Sequence, residues 1–192
     1  MKYTGWFALL GCGALVLGFL PSKSCVRADD KGEIVELDGL KSKAPAEWKN
    51  EMPAGKLRAY QFRIPHAKDD KADAELVIFY FGPGGGGSVD DNIARWKKQM
   101  TPPEGKKTDD VAKVEKSKVG DVAVTMFDME GTYLFTVAPN DPNSKKEERP
   151  GSRFIGVVFE SPKGPYFMRL VGPAKTVGEH KKAFDEWIKA FK

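Results

Sequence analysis

Beyond residue 25 the chain has no cysteine, because Cys12 and Cys25 are the only two in its 192 residues. A body without thiols has no disulfide framework, no thiolate metal ligand and no cysteine nucleophile. Histidine is nearly as scarce. His66 and His180 stand alone, and neither has a second histidine or an acid at a recognised ligand spacing, so no metal site is expected. The chain also lacks a Walker motif, since no Gly-Lys-Ser/Thr follows its glycine run, and it lacks the G-x-S-x-G elbow of serine hydrolases. No catalytic constellation stands out, no cofactor is implied, and the reading is of a non-enzymatic protein.

A strong charge of one sign is missing too. The 31 Lys and Arg against 27 Asp and Glu give +4, and most of that excess lies at the N-terminus. Lys2 precedes an apolar run from Trp6 to Leu20, and Val26-Arg27-Ala28 follows a polar break in the pattern of a signal-peptidase site. Residues 1–28 therefore read as a signal peptide cut before Asp29, and the short apolar run argues against a transmembrane span after processing. Removing them leaves 28 basic and 27 acidic residues in 164, a net charge of +1. That is too little to point to nucleic acid or to an anionic membrane surface. The expectation is an exported protein, periplasmic or extracellular. Leu9-Leu10-Gly11-Cys12 also resembles a bacterial lipobox, which makes a lipid anchor at Cys12 the alternative.

What is abundant is glycine, 20 residues of it, and its densest run organises the chain. Leu76 to Phe81 is wholly apolar and reads as a central strand covered on both faces. Gly84 to Gly87 follow. Ser88 then predicts a helix start, with Asp91 completing a capping box and Asp90 favoured by the helix dipole. Val89, Ile93, Trp96 and Met100 recur at helical spacing, so this helix packs back on the sheet.

Around that unit the pattern predicts short strands. Arg58 to Ile64 alternates, Val111 to Val119 is a lysine-bearing sheet edge, and Val122 to Phe127 and Thr132 to Val137 continue a meander. Ala138 to Gly151 reads as a solvated loop, and Arg153 to Glu160 and Pro165 to Val171 as a hairpin. Thr176 with Glu179 suggests a second capping box, opening a terminal helix that buries Val177, Phe184, Ile188 and Phe191. Seven or eight mostly antiparallel strands with two covering helices predict one α+β domain over residues 29–192.

Some of these residues carry a resemblance. Trp48, Leu57-Arg58, Phe62-x-Ile64-Pro65, Tyr80-Phe81-Gly82, Gly86-Gly87-Ser88-Val89, Asn92-Ile93, Arg95-Trp96, Gly164-Pro165-Tyr166-Phe167 and Gly172-Pro173 together resemble a group of uncharacterised exported bacterial proteins with a PsbP-like fold. The resemblance implies an α/β/α sandwich on an antiparallel sheet and no catalytic residues. It also implies, through fold relatives that bind other proteins, an accessory role with a protein partner.

Two places are candidates for binding. Backbone N–H groups of Gly84, Gly85, Gly86, Gly87 and Ser88 at a helix N-terminus suit a small anion, with Asn92 and Arg95 lending side chains. Trp48, in an irregular segment between Pro45 and Pro53, is the aromatic expected to be exposed for a protein partner.

Overall fold

The computed structural model describes residues 32–137 and 143–192, so the expected leader with Cys12 lies outside the described residues. In chain order the elements are β1 (Ile34–Leu37), β2 (Leu40–Lys43), β3 (Lys49–Glu51), β4 (Arg58–Ile64), β5 (Ala74–Tyr80), α1 (Val89–Lys97), β6 (Met100–Thr101), α2 (Thr108–Val111), β7 (Lys113–Val119), β8 (Val122–Thr136), β9 (Lys146–Ser161), β10 (Gly164–Pro173) and α3 (Ala174–Lys189). β1 and β2 form a separate hairpin. The others build one eight-stranded sheet in the order β3-β4-β5-β10-β9-β8-β6, with β7 on β8, and every pairing is antiparallel.

β5 is interior, between β4 and β10, and Leu76, Val77 and Ile78 are fully buried. Alternation then divides its side chains. Leu76 and Ile78 join Phe62, Ile64, Ile155, Val157, Met168 and Leu170 on one face, beneath α3 and the β1–β2 hairpin. Phe79 turns to the other face with Phe127, Phe154, Phe167 and Trp96 of α1. Gly156 makes room for that helix, because a Cβ there would lie 2.4 Å from Cε3 of Trp96.

The expected α+β sandwich is not what the chain forms. Strands hold 48% of the described residues and helices 19%. α1 has nine residues and is therefore about 14 Å long, whereas seven strands side by side at roughly 4.8 Å span about 30 Å. Such a helix covers a patch and forms no layer. The structure is an antiparallel sheet with few helices, and the α/β/α architecture implied by the resemblance falls with the same observation.

Local expectations fail where long-range pairing takes over. The two predicted strands at Val122 and Thr132 are one fifteen-residue strand with a register shift between Gly131 and Tyr133. Lys146 to Gly151, expected in a loop, is strand because it pairs with β8. The capping box at Thr176 and Glu179 does not form, since α3 begins at Ala174. Thr176 instead donates both its N–H (2.9 Å) and its hydroxyl (2.5 Å) to Asp70 Oδ2, from the turn between β4 and β5.

Candidate functional site

The glycine loop serves its own helix. Ser88 Oγ accepts from Asp91 N at 3.1 Å and donates to Asp91 Oδ2 at 2.6 Å, and Ser88 N donates back to that carboxylate at 3.4 Å. The capping box is thus closed, and the Ser88 hydroxyl and N–H hold the Asp91 carboxyl below its usual range. Asn92, nearly fully buried, donates Nδ2 to the carbonyls of Gly86 (2.9 Å) and Ser88 (2.8 Å) and accepts from Arg95 Nη1 at 3.2 Å. Gly86 adopts φ 85°, and a Cβ there would lie 2.2 Å from the Phe167 ring. The loop is pinned against the sheet, with the Asp91 carboxylate where an anion was expected at the helix end.

Trp48 is corrected outright. Only 3% of it is exposed, and its ring packs on Phe62, Phe184 and Trp187 with centroids 5.5 to 6.4 Å away. Its indole N–H donates to His180 Nδ1 at 3.4 Å, while His180 Nε2 donates to the Pro65 carbonyl at 3.1 Å. A tryptophan so placed is core and has no surface to offer a partner. His66 is bound elsewhere, to Asp73 at 2.7 Å.

Of the predicted site residues Asn92 and Arg95 do line a cavity, on the sheet face that α1 partly covers. This small cavity, about 130 Å³, lies between α1 and the aromatic floor of Phe79, Phe81 and Phe167. Gln99 also lines it, and its buried Oε1 has no hydrogen-bond partner among the described residues. Across the same face is a larger cavity of about 480 Å³, bounded by Tyr133, Phe135, Pro150, Val171 and Pro173. Arg169 of β10 lines both.

Arg169 is the residue that the sequence analysis missed. It is half-buried, paired in register with Val77 on one side and Gly156 on the other. Its guanidinium lies 5.6 Å from the centre of the Phe79 ring, a cation–π contact that does not neutralise charge. The other charged groups lining the larger cavity all have ion-pair or hydrogen-bond partners. Asp73 has His66 at 2.7 Å, Glu75 has Arg58 at 3.2 Å, and Glu147 has Arg149 at 3.0 Å. Among the described residues Arg169 makes no ion pair. The signal for it was present in the sequence, since Arg169 is the single charged residue of β10.

Asp128, Glu130 and Arg153 line a third cavity of about 380 Å³. Here the arginine is taken: Arg153 donates to both oxygens of Asp128 at 2.8 and 2.7 Å, and that bidentate bond raises its already high pKa further.

No family model matches the chain, and no curated protein is similar to it. Among solved structures it is similar to a Pseudomonas aeruginosa protein of unknown function, provisionally described as a regulator. The TM-score is 0.43 at 13% identity, over 82% of this chain and 94% of that one.

Proposed function

We propose that this protein is a non-catalytic binding module that holds a small anionic ligand in the cleft between α1 and the strands β5 and β10, with Arg169 supplying the charge. One observation carries the reading: among the described residues Arg169 makes no ion pair and stands half-buried on an apolar floor, while the acids that share its cavity have partners of their own. Withdrawing a cation from water without a partner is costly, and an anion in the cleft removes that cost. Arg95 at the opposite wall adds a second cation. The glycine loop takes part by holding Asn92, and through it Arg95, at the cleft mouth.

A binding role rather than a catalytic one is favoured by how the reactive groups are used. The Ser88 hydroxyl is committed to Asp91, and the two imidazoles are committed to Asp73 and to Trp48 with Pro65. Export rests on the leader pattern in residues 1–28, and we infer an envelope or extracellular setting from it. In that setting the module would act as an accessory protein that carries or senses its ligand.

The test is thermal unfolding of the wild-type chain and of Arg169→Gln in sodium acetate, benzoate and phosphate, with chloride as reference. A ligand at a hundred times its Kd stabilises by about 2.7 kcal/mol, which is roughly 5–10 °C for a chain of this length. That rise is expected for at least one anion in the wild type and is absent in the variant. Equal shifts in both proteins, or none in the wild type, refute the proposal.

A further inference from the structure

The two cavities that meet at Arg169 differ in size and in lining. At about 130 Å³ the one beside α1 is smaller than the 300–1,000 Å³ usual for a small-molecule site, and it has room for a head group only. The other, about 480 Å³, falls within that range and is walled by Tyr133, Phe135, Val171 and Pro173. Charge divides them in the same way. On the larger cavity Glu75 pairs with Arg58, Glu147 pairs with Arg149, and Asp73 is hydrogen-bonded to His66, so its lining offers an anion no attraction beyond the charge of Arg169. Arg95, Arg169 and the orphan Gln99 amide surround the smaller one. Gln99 lines that cavity and carries an amide N–H to offer a bound anion.

From these observations we infer that the ligand is a monocarboxylate with an apolar body: the carboxylate sits at Arg169, reaching toward Arg95 and Gln99, and an aliphatic or aryl body occupies the larger cavity. The inference rests on the anion-binding reading given above and narrows it. Arg95 is exposed and has Asp91 four residues before it on α1, so Arg169 is the one cation withdrawn from water and a single negative charge matches it, whereas a phosphate would leave the apolar walls of the larger cavity unfilled. The apolar walls then supply affinity in proportion to the length of the body. Each buried methylene is worth a constant increment, equivalent to about a fourfold change in Kd.

Isothermal titration of the full chain with acetate, butyrate, hexanoate and octanoate tests this, with hexan-1-ol, hexylamine and inorganic phosphate as controls. The expected result is a Kd that falls about fourfold per methylene, no binding of the alcohol or amine, and phosphate weaker than hexanoate. Arg169→Gln should weaken every carboxylate at least tenfold. Phe135→Ala and Val171→Asn, with circular dichroism as a check on folding, should each flatten the dependence on chain length. If phosphate binds as tightly as octanoate and chain length is without effect, the monocarboxylate inference is overturned while anion binding at Arg169 stands. If the alcohol binds as well as the acid, or Arg169→Gln binds carboxylates as the wild type does, both fall.

Discussion

Gly156 shows how one residue without a side chain fixes the cleft. It lies between Phe127 of β8 and Arg169 of β10 in register, and the Trp96 ring rests where its Cβ would be, 2.4 Å from Cε3 and 2.5 Å from Cζ3. The obstacle is a rigid indole that is 6% exposed and packs on the rings of Phe127 and Phe154. Gly156→Ala is therefore expected to destabilise by about 1–3 kcal/mol through overpacking. Urea unfolding followed by tryptophan fluorescence measures that loss, and an unchanged midpoint would mean that Trp96 does not sit on the strand. Legibility at this scale was uneven. The inward helical face of Trp96 could be read from spacing, but the burial of Trp48 could not, because its partners Phe184 and Trp187 are more than 130 residues away in sequence. Arg169 was hidden for a related reason. That it lacks a partner depends on which carboxylates the fold delivers to its neighbours.

Elements whose signals are local were the ones the sequence revealed. Ser88 and Asp91 form the capping box that their spacing predicts, and β5 is the interior strand that its apolar run predicts. The start of α3 was misread because its cap, Asp70, comes from a distant turn, and β8 and β9 grew beyond their predicted ends because each supports the other's pairing. The α1 cap makes a pH prediction. The Asp91 carboxyl is held below its ordinary value by Ser88, so its ionised form favours the folded chain. That contribution is fully present above about pH 4, the ordinary aspartate value, and is lost as pH falls through the lower folded-state value. In Asp91→Asn the helix keeps an acceptor but loses the titration. Chemical denaturation of the two proteins from pH 6 to pH 2 should show a shallower acid loss of stability in the variant, and parallel curves would contradict this role for Asp91.

At the scale of the whole molecule, an open sheet must leave edges, and this one has several. β3 at one margin is three residues long and charged, while β7 at the other pairs only with β8 and is exposed from Lys113 to Lys118. The first residues of β9 have β8 on one side only, since the β10 pairing stops at Ser152 opposite Pro173. Unpaired edges invite strands from other molecules, and charged side chains and proline discourage them. Lys113, Lys116 and Lys118 mark β7 in this way, as Lys146, Glu147, Glu148, Arg149 and Pro150 mark β9. The lysines of β7 are exposed, so replacing all three with threonine raises β-propensity at an exposed edge and removes its charge. Stability of the single molecule should change by no more than about 0.5 kcal/mol per site. Self-association should change much more, with light scattering showing oligomers that grow with concentration in K113T/K116T/K118T and not in the wild type. A variant that stayed monomeric at high concentration would show that something other than edge charge keeps these sheets apart.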